Sequence, residues 1–594
     1  MLNQLVHRGP DGHWLKSDDR AEFGMARLTI RGLTSGEQPL VDPETGVMIV
    51  CNGEIDNHMA LRTFLKGRGR EVVEDTDVAV LPGLYLELGA AFVEHLVGAF
   101  AIAVWDPRSE TLLLIRDRAG ERPLFYQVAE GQVRFASQLS ALVAAGEESP
   151  TLDTPSIHRY LQLGYFTPPD SPFQGIVRVG PSECVTISRA GISHQRYWRW
   201  PERAIPKQDA SLDQFDALFR EAVFRQSEVD VPVGLFLSGG VDSSLIAAVA
   251  RDVHSDKSLT AYGLRFREDS FDEGQFAEEV ANRLKMDYVS IWVEPEAIAG
   301  MLKAVIRTSG EPLADPAFIP TALLSERASK DIRISLSGEG ADELFGGYPT
   351  YFGARIAETY ATLPAFLRRL IRRQVERWPP SDKKVTLSFL LKRFVQGDDL
   401  DGVSRHILWN SSLSPALLSR LGVVPELRPF EAPSSETLLD RIQRFDLERS
   451  LAEGLLTKAD RASMHSALEL RAPFLDQAVM EFASSLKPQE RVQGINTKVF
   501  LKTYATRYLP KSIVYRKKRG LSVPLSAWLR GPLNGWAKEA LGRNLLTRIG
   551  IQPPLALALL DEHEKRMADH ARAIWALMVI SEWLLWLEMA SGKS

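Results

Sequence analysis

The segment VGLFLSGGVDSSLIAAV, residues 233–249, constrains the chain more than any other. It starts as a short apolar run of strand character and turns on Ser-Gly-Gly. It then meets an aspartate and two serines and continues with helical periodicity. In an open parallel sheet, ligands sit beyond the C-terminal ends of the strands. Gly239 and Gly240 lack a Cβ, so the backbone can turn tightly and bring its N–H groups onto a ligand. Ser243 and Ser244 open the following helix, whose N-terminus favours anions. The order strand, loop, helix therefore predicts a phosphate cradle, and Asp242 beside it predicts Mg²⁺. The plain alternative is a Gly-Gly turn capped by Ser and Asp. Two rival phosphate motifs are absent: no GxxxxGK[ST] follows a strand, and no GxGxxG opens a helix.

The surrounding pattern fits such a sheet. FDALFREAVFRQSE, SLIAAVARDV and FAEEVANRLK read as helices, and GLFL, LTAYGLRF and IRISL as strands, an alternation that implies a doubly wound parallel sheet. Beyond about residue 352 helical patterns dominate. In AFLRRLIRRQVERW, Phe366, Leu367, Leu370, Ile371, Val375 and Trp378 form a stripe, with Arg368, Arg369, Arg372 and Arg373 mostly elsewhere, a solvated basic face. Residues 24–145 differ: GVMIVCNGE, AFAIAVWDP, TLLLIRDR and QVRFASQ are short strands, and the unit is α+β. The proline-bearing YWRWPERAIPKQDAS, 197–211, reads as a linker. The predicted division is 1–197, a linker at 198–211, and 212–594.

A net charge of -5 gives no basic surplus for nucleic acid, and two cysteines exclude a disulfide scaffold. AIWALMVISEWLLWLEMA is broken by Glu582 and Glu588 and reads as a buried C-terminal helix rather than a span. The expected location is the cytoplasm.

A second loop, ISLSGEGADELFGGY at 334–348, leaves another strand with Ser-Gly and carries Glu339, Asp342 and Glu343 among glycines. Acidic groups on neighbouring strand ends are placed to share a metal. SGGVDSS resembles the signature of PP-loop ATP pyrophosphatases. With SGEGADELFGGY, KADRASM (458–464), LELRAPFLD (468–476), EPLADPAFIPTALLS (311–325) and KKRGLSVPLSAWLRG (517–531), the chain resembles the glutamine-dependent asparagine synthetases. HRGPDG (7–12), RLTI (27–30), CNGEIDNH (51–58) and RDRAGERPLFY (116–126) extend the resemblance over nearly the whole chain.

The resemblance implies ATP and Mg²⁺, and a ligase that turns aspartate into β-aspartyl-AMP and then, with ammonia, into asparagine, AMP and pyrophosphate. It places Leu237, Tyr262, Ser337 and Gly338 at the nucleotide, and Ser238, Gly239, Gly240, Ser243 and Ser244 at the departing phosphates. Asp242 and Asp342 would bind Mg²⁺. Lys498 would stabilise the adenylating transition state, and Glu339 would take protons from the attacking ammonia. Tyr262 stands where the family often has a small apolar residue. The expected partners are small molecules (aspartate, glutamine or ammonia, and ATP) with no nucleic acid and no membrane; a homodimer is compatible. The runner-up is a relative that amidates another carboxylate in natural-product or polysaccharide biosynthesis.

The resemblance also implies an N-terminal-nucleophile glutaminase, in which a terminal cysteine attacks glutamine and its own amine acts as base. Here only six residues precede HRGPDG, and position 2 is Leu. The glutamine pocket is otherwise intact. Arg27 would pair with the substrate carboxylate, Asp75 would hold its amine, Asn52 and Gly53 would form the oxyanion site, and Glu54 completes that loop. Cys51, mid-chain in an apolar strand, is expected to be an inert thiol. Either an upstream segment carries the cysteine, or free ammonia is the nitrogen source; the chain as written is expected not to hydrolyse glutamine by the family mechanism. The fold expected is thus an α+β glutaminase-like domain, truncated at its start, joined to an α/β doubly wound PP-loop synthetase domain with a helical C-terminal part.

Overall fold

Period-two alternation builds the N-terminal half. The computed structural model of the protein describes residues 1–146, 149–201, 210–255, 257–378, 387–516, 520–590 and 592. β1 (Gly12–Ser17) and β2 (Glu22–Arg27) form an antiparallel hairpin. β3 (Leu40–Val41), β4 (Met48–Gly53), β5 (Phe100–Asp106) and β6 (Thr111–Arg116) follow in one sheet. β7 (Phe125–Ala129), β8 (Gln132–Ala136) and β9 (Ile176–Arg178) make a separate sheet in the order β8-β7-β9. β10 (Glu183–Ser188) and β11 (Gly191–Arg196) complete the first sheet, ordered β11-β10-β6-β5-β4-β3 and antiparallel where adjacent strands pair.

Alternate residues of the central strands go to opposite layers. Phe100, Ile102 and Val104 pack with Ile49, Cys51 and Ile115 beneath the helical residues Leu65, Leu81 and Leu84. Ala101 and Ala103 face the other way, with Val50, Leu114 and Val185 against Phe23 and Tyr126 of the smaller sheets. The sheet is buried on both faces, which is why β5 and β6 read as nearly continuous apolar runs.

The second half carries five parallel strands: β12 (Val233–Phe236), β13 (Thr260–Arg265), β14 (Asp287–Trp292), β15 (Ile334–Leu336) and β16 (Glu469–Arg471), in the order β14-β13-β12-β15-β16. β12 is central, so the Ser-Gly-Gly loop and the Ser-Gly-Glu loop leave adjacent strand ends. Helix Leu212–Ser227 covers one face, burying Phe215 and Phe219 with Leu235, Leu245 and Val249. Trp200 at the start of the predicted linker is buried, and its carbonyl accepts from Arg444 at 3.1 Å. Residues 202–209 of that linker lie outside the described residues.

Among the described residues two stretches, Asp77–His95 and Ala571–Ala590, are long and apolar enough to cross a membrane by length and composition. The second is a core helix as expected. Its Trp575 and Trp583 are buried, each contributing roughly 4–6 kcal/mol of apolar burial. Its buried Glu582 accepts from Trp536 Nε1 at 2.7 Å and Arg543 Nη1 at 2.9 Å. By contrast, of the 365–378 stripe only Val375 is buried; Phe366 is 63% and Leu370 54% exposed.

Candidate active site

At the end of β12 the chain turns through Gly239 at φ +68°; a Cβ there would lie 2.6 Å from the backbone carbonyl carbon of Phe276. No side chain fits that turn. Gly240 caps helix Val241–Val253. Ser238 Oγ and Ser243 Oγ stand 3.1 Å apart, and the Gly240 N–H donates to Ser238 Oγ at 3.3 Å. These are exposed or half-buried groups at a helix N-terminus, as an anion site requires. Ser244 departs from the expectation. It is fully buried inside the helix's packing face, and its hydroxyl has no partner among the described residues. One residue further along the helix turns it about 100° from Ser243, away from the open side of the loop.

The second loop leaves β15 at Ser337, whose N–H donates to the Arg471 carbonyl at 2.8 Å. Gly338 runs so close to Asp242 that a Cβ would lie 3.1 Å from the aspartate's own Cβ. Asp242 and Asp342 are therefore brought together from two loops. Between them stands Lys498, whose Nζ is 2.5 Å from Asp242 Oδ1 and 2.7 Å from Asp342 Oδ1. Lys498 is 1% exposed and has left-handed backbone, φ +53°, a conformation that costs a non-glycine residue about 1–3 kcal/mol. Gly347 makes the room: a Cβ there would sit 2.3 Å from Lys498 Cε and 1.7 Å from Asp342 Oδ1. Next to this cluster Glu343 is buried and bonded by the Tyr348 hydroxyl. Burial, with the Asp342 charge, pushes its carboxyl up to about 8.

The Tyr262 side chain points away from the two loops. Its side chain is fully buried among Leu324, Ala328 and Ile332, and its hydroxyl donates to Asp331 Oδ2 at 3.1 Å. Asp331 precedes β15, at the opposite end of the strands from both loops. Tyr262 reaches the site only through its backbone carbonyl, which accepts the Leu237 N–H at 2.8 Å.

Arg516 also reaches the glycine loop. It donates to the Gly239 carbonyl at 2.9 Å, pairs with Glu273 at 2.9 Å and stacks over Phe276 at 4.2 Å. It opens the basic run 516–519, of which 517–519 lie outside the described residues.

In the N-terminal half a cavity of about 140 Å³ lies between β2 and β8, lined in part by Arg27, Asn52, Gly53 and Glu54. Arg27 Nη atoms donate to the carbonyls of Ser35 at 2.5 Å and Arg31 at 2.8 Å, which aims the guanidinium. Gly53, at φ +124°, passes so close to Ala99 that a Cβ would be 2.0 Å from its carbonyl oxygen. Asp75 is exposed and does not line the cavity; the buried Asp77, two residues on, does, and it accepts the Ile55 N–H at 2.7 Å. Cys51 is a buried strand residue whose thiol burial pushes well up, and Cys184 is pushed up to about 11 by burial. Neither of the two cysteines has the character of a nucleophile.

Buried ion pairs join the two halves. Arg8 meets Asp460 through two bonds of 2.8 Å, and Arg116 and Arg178 meet Glu453 at 2.8 and 3.1 Å. Burial would raise the Asp460 carboxyl, but the Arg8 and Arg461 guanidiniums outweigh it and hold it well below the usual range. Arg471 pairs with Glu54 of the cavity while its carbonyl holds Ser337 of the second loop. One residue thus touches both sites.

The second half thus brings two adjacent strand-end loops and a buried lysine between two aspartates together, beside an α+β unit. Comparison with known proteins gives the family. The asparagine synthase family model matches residues 214–588, and the glutamine amidotransferase domain model matches 1–198. Asparagine synthetase [glutamine-hydrolyzing] 1 of Bacillus subtilis (strain 168) is 30% identical over 595 residues, 98% of this chain and 92% of the relative. A putative asparagine synthetase [glutamine-hydrolyzing] of Mycobacterium tuberculosis (strain H37Rv) is 30% identical over 98% of this chain and 92% of its own. Amidase chyE of Penicillium rubens is 25% identical over 92% of this chain and 88% of its own. The chain belongs to the asparagine synthase family.

Proposed function

We propose that the protein makes asparagine from aspartate, ATP and ammonia through β-aspartyl-AMP, releasing AMP and pyrophosphate. The observation that carries this reading is the convergence of Asp242, Asp342 and Lys498 at the mouth of two adjacent strand-end loops. Leu237, Ser337 and Gly338 would line the nucleotide. Ser238, Gly239, Gly240 and Ser243 would hold the β- and γ-phosphates. The Asp242 and Asp342 carboxylates, which here meet at the Lys498 ammonium, offer the hard oxygen donors that Mg²⁺ takes alongside phosphates and would hold it with Lys498 turned to the α-phosphate. Bound there, the ion would neutralise charge on the departing pyrophosphate.

An aspartate β-carboxylate oxygen attacks the α-phosphorus, and the bond to the bridging oxygen of pyrophosphate breaks. The Lys498 ammonium stabilises the negative charge that builds on the α-phosphate. Ammonia then attacks the acyl carbon; Glu339, at the edge of the same loop and partly exposed, accepts a proton, and AMP leaves. The chain contributes positioning and charge stabilisation and no covalent intermediate of its own.

In this reading residues 1–197 form the amidotransferase unit, 198–211 the linker and 212–594 the synthetase, in the cytoplasm. The cavity with Arg27, Asn52 and Gly53 takes glutamine, with Asp77 rather than Asp75 facing it. The test is pyrophosphate release with ATP, Mg²⁺ and aspartate, comparing ammonium with glutamine. Aspartate-dependent pyrophosphate and asparagine with ammonium support the reading; folded protein giving neither overturns it and directs the search to other carboxylic acids.

A further inference from the structure

A buried lysine lies near the acceptor side of this site and has no part in the chemistry above. Lys458 is on helix Leu456–Met464, and its side chain is 8% exposed. Its Nζ stands 3.5 Å from Glu339 Oε1 and 3.8 Å from Asp315 Oδ2. Both contacts are at or past the limit of a hydrogen bond. A buried ammonium normally sits in tight, charge-assisted bonds of 2.7–2.9 Å, because leaving its donors unfilled costs desolvation energy. Here the two carboxylates hold the charge through long contacts only. Burial alone would lower the Lys458 pKa; Glu339 and Asp315 outweigh it and hold it above its ordinary value.

The three groups come from three elements: the loop after β15, the turn before helix Phe318–Ala328, and helix Leu456–Met464. Asp315 is fixed in place, since its Oδ1 accepts the Ala317 N–H at 2.8 Å and leaves Oδ2 toward Lys458. Glu339 and Asp315 are 24% and 28% exposed, so the cluster opens to solvent on one side while Lys458 forms its floor. It adjoins Ser337 and Gly338, which in the proposed reading line the nucleotide, so the acid to be activated would lie beside it. One cation and one carboxylate beyond Glu339 match the two charges of an α-amino acid head group.

We propose that Lys458 and Asp315 clamp the α-carboxylate and α-ammonium of the acid substrate, and so select an α-amino acid for the site. The proposal rests on the asparagine-forming reading. The incoming α-carboxylate supplies Lys458 with the acceptor it lacks at short range, and the α-ammonium meets Asp315. Glu339 is then relieved of Lys458 and left to face ammonia.

The experiment is steady-state kinetics of ammonium-dependent pyrophosphate release by the full chain and by Lys458→Met, Lys458→Gln and Asp315→Asn. Michaelis constants are measured separately for aspartate, ammonium and ATP. Loss of one charge-assisted bond predicts an aspartate KM raised about tenfold or more in each variant, with the ATP and ammonium KM values within twofold of the parent. A structural role for Lys458 as a support of Glu339 would instead move the ammonium KM or kcat and leave the aspartate KM alone, and that result overturns the clamp. So does an aspartate KM unchanged in Asp315→Asn, the variant that preserves shape. If Lys458→Met loses ATP binding as well, Lys458→Gln and Asp315→Asn decide. A parent chain active with ATP but indifferent to aspartate refutes the asparagine reading itself, a separate result from parent activity that the three variants leave intact.

Discussion

Glu453 offers the sharpest test of how the two halves are held together. Its side chain is fully buried, and it is shared by Arg116 at 2.8 Å and Arg178 at 3.1 Å, two arginines of the N-terminal half. Arg116 spends its other donors on the carbonyls of Arg122, Val179 and Gly120 at 2.7–2.8 Å, so it is fixed and cannot swing to water. Glu453→Ala therefore strands buried cationic charge rather than releasing it. Breaking one side of such a buried pair costs about 3–5 kcal/mol. At 2–4 °C per kcal/mol for a unit of 150–250 residues, the apparent unfolding midpoint of the N-terminal half falls by roughly 6–20 °C. Calorimetry with limited proteolysis reads this: the variant unfolds earlier and is cut sooner. The control is Glu376→Ala, which removes an exposed partner of Arg372 at 2.9 Å, worth about 1 kcal/mol or less. A Glu453→Ala midpoint no lower than the control's would refute the view that desolvated ion pairs hold this interface.

Further outcomes follow from the site. Gly239→Ala meets the Phe276 backbone at 2.6 Å and an unfavourable φ; ATP affinity measured by calorimetry is expected to collapse, while far-UV circular dichroism stays that of the parent. Lys498→Met should slow aspartate-dependent pyrophosphate release by about 10²–10³-fold, and Gly347→Ala, whose Cβ would overlap Lys498 and Asp342, should slow it as well; parent-like rates in either variant contradict the assignment. Because burial raises the folded-state pKa of Glu343 to about 8, the folded chain holds a proton there that the unfolded chain has lost. Stability from this group is present at acid pH and declines as pH rises from the ordinary glutamate range through about 8. Glu343→Gln should flatten that part of a denaturation-versus-pH curve, and an unchanged slope would contradict the shift.

Much of the site was legible because its chemistry sits in contiguous loops. Gly239, Gly240, Ser243, Asp242 and Asp342 could be placed from strand–loop–helix order alone, since that order fixes which backbone groups face a ligand. Side-chain direction was less legible. Tyr262 lies on a strand next to the site, yet the pleat turns its ring into the core, and residue type does not reveal that. Ser244 is one helical step from Ser243 and is buried by the rotation of that step. Asp75 and Asp77 flank Thr76 in a short acidic run, and only the packing of Asp77 under Ile55 separates them. Arg516 and Lys458 come to the site from far along the chain, and the spacing of their own segments carries no sign of their partners. The apolar stripe at 366–378 has the periodicity of a buried face, yet most of it is exposed, because periodicity shows that a helix has a face without showing what lies against it.

The central claim is that the acid is activated as an acyl-adenylate, and oxygen transfer tests it most directly. Aspartate labelled with ¹⁸O in its β-carboxylate is incubated with the chain, ATP, Mg²⁺ and ammonium, and the AMP is analysed by mass spectrometry. One labelled oxygen in the AMP phosphate per asparagine formed is the predicted result. Unlabelled AMP beside newly made asparagine, or ADP and labelled inorganic phosphate in its place, would contradict the account.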